Sequence, residues 1–242
     1  MKTIFIHTFA TVAVAAVLFT GCKKDDDDNN NNAYTCTTCV QSPDALAAND
    51  ASSAGVYKGT LLGSSGTINL VLLNGGTTTT AYVNFDGGTA TLTTNDLSQW
   101  TAGQPINNAL FTGVTSPNGD TVSAYFSVDA NGQNPTVNVT IPGHTVVVAL
   151  YKELSTALVK AFEGTYTGDL QGGFNVILQG NNYTILNDNG AADENTLVNG
   201  RIEYTTPGGT VIDGEFTDAD NANGTWTETD GDNGTWQFRR TL

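Results

Sequence analysis

Positive charge is scarce in this chain: nine Lys and Arg stand against 24 Asp and Glu, a formal net charge of −15 over 242 residues. Binding to nucleic acid rests on cations that neutralise phosphates, so a surface of this sign excludes it as a partner. Histidine is scarcer still, with only His7 and His144. A Ser–His–Asp arrangement would have to be built around His144, which follows Pro142-Gly143 and reads as a turn residue. No glycine-rich loop follows a strand and opens a helix, so nucleotide chemistry has no support. Long apolar runs are missing too, because the stretch from Ile4 to Phe19 is short for a bilayer span.

What that stretch does have is the layout of an export signal. Lys2 gives a positive start, the apolar run follows, and Phe19-Thr20-Gly21-Cys22 ends it. Small residues before a single cysteine resemble the lipobox of bacterial lipoproteins, with Phe19 where that motif usually has Leu. The resemblance implies cleavage before Cys22 and acylation of its thiol and new amine. Two or more chains, at about 0.8 kcal/mol per buried CH₂, make a stable anchor where one does not. Lys23-Lys24 and the run Asp25 to Asp28 resemble the signal with which Bacteroidetes move lipoproteins to the outer face of the outer membrane. Surface exposure is therefore expected, with a periplasm-facing anchor as the alternative. The same run, continued by Asn29 to Asn32, also reads as a solvated tether that cannot bury apolar surface. Cleavage removes Lys2 and no acid, so −15 becomes −16 in the mature chain. Asp120-Thr121-Val122 matches the short sequon for O-glycosylation in the same bacterial group.

Cys36 and Cys39 are the remaining cysteines, in a C-x-x-C that is expected to oxidise to a local disulfide outside the cytosol. Redox catalysis would need a βαβ setting that the tether does not offer, and zinc would need two further ligands. The expected division is a signal peptide over 1–21, a lipidated and acidic tether over 22–50, and two domains over 51–153 and 154–242. Acid is concentrated in the second domain, with thirteen Asp and Glu against four bases, whereas 51–153 has five against two.

Both domains read as all-β. Apolar residues alternate with polar ones, as in Val122, Ala124, Phe126 and Val128, in Trp236 and Phe238, and in Phe162, Gly164, Tyr166, Gly168 and Leu170. Turn pairs such as Asn74-Gly75, Asp86-Gly87, Asn189-Gly190 and Asp213-Gly214 punctuate the runs every eight to twelve residues. Eight strands are expected in the first domain: 55–62, 67–73, 79–86, 88–94, 107–115, 120–129, 135–142 and 145–152. Seven are expected in the second: 162–170, 173–179, 182–187, 196–204, 210–217, 223–229 and 234–241. Segment 94–106 breaks the pattern and reads as a long loop or short helix. Antiparallel meanders of this size close their edges as eight-stranded barrels or as sandwiches. Gly55-Val56-Tyr57-Lys58-Gly59-Thr60-Leu61 matches Gly164-Thr165-Tyr166-Thr167-Gly168-Asp169-Leu170 at four positions, each after a stretch of helix formers (43–49 and 154–162), which suggests an internal duplication.

Gly224-Thr225-Trp226 and Gly234-Thr235-Trp236 recur at the period of one hairpin. With an opening G-x-Y strand they resemble the small ligand-binding barrels of the lipocalins and avidins, and the ends of G-x-W bacterial lipoproteins. That resemblance implies a throat for a small molecule and makes Trp226, Trp236, Tyr57 and Tyr166 candidate ligand-binding aromatics. The plainer reading seals the barrel floor with both tryptophans. Asp218 and Asp220, repeated by Asp230 and Asp232, have the spacing of calcium ligands, but neither stretch completes an EF-hand loop, and hairpin turns favour the same residues. No cofactor is implied. The expected function is a non-enzymatic, surface-anchored lipoprotein that binds an extracellular glycan or small ligand. The alternatives are an adhesive or structural module without a pocket, or a glycoside hydrolase built on a carboxylate pair.

Overall fold

A computed structural model describes residues 34–63, 66–86, 88–116, 118–187 and 192–242. The signal peptide, Cys22, the acidic run and the Asn189-Gly190 turn lie outside the described residues. Sixteen strands form two antiparallel sheets, and no α-helix occurs among the described residues.

The first sheet holds β1 (Gly55–Leu62), β2 (Gly66–Leu72), β3 (Thr79–Phe85), β4 (Gly88–Thr93), β5 (Ile106–Ser116), β6 (Thr121–Val128), β7 (Thr136–Thr140) and β8 (Val147–Glu153). Each strand pairs with the next up to β7, and β8 returns to pair with β1, so the meander curls into a barrel whose unladdered seam runs between β7 and β8. The second sheet holds β9 (Val159–Gly168), β10 (Gly172–Gln179), β11 (Asn182–Asn187), β12 (Ala192–Thr196), β13 (Arg201–Thr205), β14 (Val211–Phe216), β15 (Asn221–Thr227) and β16 (Asn233–Arg240). Its first and last strands, β9 and β16, pair in the same way, but its seam lies between β12 and β13. The tandem design is thus repeated while the opening is displaced.

Alternation works as the pattern requires. Val122, Ala124, Phe126 and Val128 are all buried, and Trp236 and Phe238 are buried while Gln237 and Arg239 are exposed. Three expectations change. The run expected as one strand over 196–204 is two strands, because Asn199 and Gly200 adopt φ of +51° and +80° and turn the chain back. β9 ends at Gly168, whose φ is +136°, so Leu170 leaves the buried face and is 46% exposed in a turn. The helix-former stretches yield only a 3-10 turn at Ala47–Asn49 and the start of β9. Segment 94–105 is a loop, with Trp100 packed against the core of the first sheet.

Strands β1, β10 and β11 are buried on both faces, which explains the apolar Val176-Ile177-Leu178 and Ile185-Leu186 of β10 and β11 and the partners that Lys58 and Thr60 of β1 require. Their outer faces meet. Ala149, Val159, Ile177 and Leu186 form a small core between the sheets, and Asn175 donates to Thr60 Oγ1 at 3.2 Å and to the Leu61 carbonyl at 2.6 Å. Beside this joint lies an ion pair sealed from solvent, Lys58 Nζ at 2.9 Å from Glu153 Oε2, with the exposed Asp44 Oδ2 2.8 Å from the same Nζ. Glu153 also accepts the Val159 and Asp44 backbone N–H groups, so its lone pairs are occupied.

The segment before β1 closes the ends of the barrels where their first strands begin. Ser53 and Ala54 seal the first sheet, where Lys152 donates to the Ser52 and Ala54 carbonyls and lies 4.9 Å from the centre of the Tyr57 ring. At the second sheet Arg240, fully buried, holds Asp220 and the Val40 carbonyl. Asp220 accepts the Cys36 N–H at 3.0 Å, and Tyr34 donates to the Arg240 carbonyl at 2.8 Å.

Candidate functional site

The two barrels share a plan but not an interior. In the first sheet the inward side chains Tyr57, Leu61, Ile68, Leu70, Phe111 and Phe126 are fully buried against one another, and Tyr57 packs edge-on to Phe126. In the second sheet the inward side chains line a cavity of about 550 Å³, which opens at the end formed by the β9–β10, β13–β14 and β15–β16 turns. That volume suits a small molecule.

Aromatic rings make the cavity walls. Trp226 and Trp236 are each 5% exposed and belong to the core cluster, yet both line the cavity with Tyr166, Phe174, Tyr204 and Phe238. Trp226 stands edge-on to Tyr166 at 6.2 Å, and Trp236 stacks on Phe238 at 5.5 Å. Each indole N–H is already spent: Trp226 donates to the Thr167 carbonyl at 3.2 Å and Trp236 to the Thr225 carbonyl at 3.1 Å. With those donors engaged, the tryptophans offer a guest ring surface only.

The G-x-W repeat now has a steric cause. In the β15–β16 ladder Trp236 faces Gly224 and Trp226 faces Gly234, and Gly224 faces Gly214 on β14. A Cβ on Gly214 would lie 2.1 Å from Trp236 Cζ2, one on Gly224 would lie 2.5 Å from the same atom, and one on Gly234 would lie 2.6 Å from Trp226 Nε1. The glycines let the indoles lie against the wall, which keeps the middle of the barrel open.

Polar groups sit towards the mouth. Among the described residues Asp193 and Glu228 are the charged side chains of the lining, and Glu228 accepts the Thr210 hydroxyl at 2.8 Å. Burial, together with the Asp193 carboxylate that accepts its hydroxyl, raises the Tyr204 phenol above its usual range. Tyr183, fully buried in the same barrel, has a hydroxyl without a hydrogen-bond partner. Burial first, and the nearby Tyr204 second, push it up to about 12.

The remaining candidates fall elsewhere. Tyr57 is sealed in the first sheet, where its hydroxyl donates to the Ser53 carbonyl at 2.8 Å and burial raises its pKa. Tyr166 is at the cavity. Cys36 and Cys39 form a disulfide at the closed end of the second sheet. Asp218 accepts the Asp220 N–H and the Asn221 amide, Asp220 is tied to Cys36 and Arg240, and Asp230 accepts the Asp232 N–H. Among the described residues no group of three or more His, Cys, Asp or Glu side chains is placed to hold a metal ion. A broader depression of about 860 Å³ runs over the outside of the sheets, past Tyr34, Asp86, Glu163, Gln237 and Arg239. The place of Asp193 and Tyr204 at the cavity was hidden in the sequence, since only the folded barrel brings β12 and β13 to the same interior as the tryptophans.

Comparison with known proteins leaves this geometry as the guide to function, because the chain matches no protein-family model, no curated protein and no solved structure.

Proposed function

We propose that the protein is a non-enzymatic lipoprotein, anchored by acyl chains on Cys22 at the outer face of the outer membrane, whose second barrel binds a small, mainly apolar ligand. The observation that carries the binding role is the contrast between a filled first barrel and a 550 Å³ aromatic cavity in the second. The walls favour a compact apolar ligand over a glycan, because sugars need many hydrogen-bond partners and both indole donors are engaged within the protein. The first barrel, whose inward side chains pack on one another and which is joined to the second by Asn175 and by Glu153, the acceptor of the Val159 N–H, acts as a support.

Orientation fits an anchored receptor. Tyr34, the first described residue after the tether, is fixed at the closed end of the second barrel through Arg240 and Asn221, and the mouth lies at the opposite end. The binding role is tested with Nile red, an uncharged apolar dye, on the chain carrying Cys22→Ser. Saturable one-to-one emission should be lost in Ile212→Trp, which fills the cavity from a lining position. Emission that stays flat in the parent, or persists in the variant, would remove the role. Fatty-acid labelling should vanish in Cys22→Ser, and protease treatment of intact cells should release the barrels; labelled Cys22→Ser or full protection would refute the anchor or the exposure respectively.

A further inference from the structure

We propose that the cavity of the second barrel is selective for cationic ligands, holding an apolar body between Trp226, Trp236 and Tyr166 and an ammonium group at the mouth near Asp193 and Glu228. This rests on the binding role above and adds the charge of the ligand.

The bases of this barrel gather at one end. Its four bases, Lys160, Arg201, Arg239 and Arg240, lie in the first or last two residues of β9, β13 and β16, at the closed end. Arg240 is buried against Asp220, and Arg201 is paired on the outer surface with Asp213 and Glu215 at 2.9 and 2.6 Å. The mouth has the opposite sign. Asp169 ends the β9–β10 turn's approach, Glu228, Asp230 and Asp232 occupy the β15–β16 turn, and Asp193 is the second residue of β12. These carboxylates stand close together: Asp230 foremost, then burial, Asp169 and Glu228, raise the Asp232 carboxyl above its usual value. Among the described residues no base lines the cavity.

Two physical effects then favour a cation. A concave site with low-dielectric walls and carboxylates at its rim concentrates positive ligands and repels carboxylates. Inside, the ring faces of Trp and Tyr present negative quadrupole density, which attracts ammonium groups and repels anions. The indole donors that could have served an anionic guest are turned into the wall.

Three probes of one shape separate charge from fit: 2-phenylethylammonium, 2-phenylethanol and 3-phenylpropionate, titrated by calorimetry into the full chain carrying Cys22→Ser. The ammonium should bind about tenfold or more tighter than the alcohol, and the carboxylate should bind weakest. Raising salt to about 0.5 M should narrow the advantage of the ammonium over the alcohol, because the mouth carboxylates are screened. The double variant Asp193→Asn/Glu228→Gln, with its near-ultraviolet circular dichroism unchanged, should narrow it too. Equal binding of alcohol and ammonium, or tightest binding of the carboxylate, would overturn the charge selectivity and leave the cavity as a binding site. No heat from any of the three would overturn both readings together.

Discussion

Replacing Gly214 or Gly224 with alanine tests the steric logic of the binding site directly. At Gly214 the added methyl would meet Trp236 Cζ2 at 2.1 Å and the Asn223 carbonyl at 2.5 Å; at Gly224 it would meet the Asp213 carbonyl at 2.0 Å and Trp236 Cζ2 at 2.5 Å. Neither neighbour yields cheaply. The carbonyls belong to paired strands, and Trp236 is held by its bond to Thr225 and its stack on Phe238. Overpacking of this kind costs about 1–3 kcal/mol. In a body of this size each kcal/mol moves the melting temperature by about 2–4 °C, so each variant should melt about 2–12 °C lower. Gly173→Ala is the control, since its methyl would find only the Gly164 carbonyl at 3.8 Å. It should be neutral, or gain up to about 1 kcal/mol from a stiffer unfolded chain. Thermal unfolding followed by circular dichroism gives the stabilities, and near-ultraviolet circular dichroism reports the tryptophans. Gly214→Ala and Gly224→Ala that melt with Gly173→Ala and leave the tryptophan bands unmoved would refute the reasoning.

Three further outcomes follow from the joint and the first barrel. Glu153→Gln should lower stability in urea by about 3–5 kcal/mol, because Lys58 is left charged, 1% exposed and without its main partner, whereas Lys58→Met/Glu153→Leu should lose far less; equal losses would show that the charge is not the cause. Asp44→Asn should cost about 1 kcal/mol or less, since Asp44 is 53% exposed and solvent screens its share of the pair, and a larger loss in the same urea titration would contradict that. Lys152 is lowered by burial to about 8 from an ordinary value of 10.5, so the unfolded chain holds the extra proton between those values and stability rises with pH across that window. The stability of the parent relative to Lys152→Met should therefore increase from pH 8 to 10, and a flat or falling difference would refute the assignment.

The reach of sequence reasoning differs between the two barrels. In the first, every expected strand has its counterpart within a residue or three, because alternation such as Val122, Ala124, Phe126 and Val128 and turn pairs such as Asn74-Gly75 act locally. In the second, the single strand expected over 196–204 hid a turn, although Asn199-Gly200 carries the signal for one. Leu170 looked like a fifth inward residue, and only the positive φ at Gly168 shows that the strand has already ended. The acid excess of residues 154–242 was plain, but that all four bases gather at the closed end while Asp169, Asp193, Glu228, Asp230 and Asp232 stand at the mouth needed the direction of each strand.

Sequence alone determined that the body is pleated and two-sided, that a glycine stands two residues before both Trp226 and Trp236 at the period of one hairpin, and that the second half carries the negative charge. These are properties of neighbours along the chain. Tertiary structure decided which of two similar meanders is hollow. That outcome depends on pairing across strands: Trp236 lies over Gly224 and Gly214 in the second barrel, whereas Tyr57 meets Phe126 in the first and fills the space. Whether an aromatic side chain fills a barrel or lines its wall is set by the residue opposite it, and that residue is distant in sequence until the sheet closes.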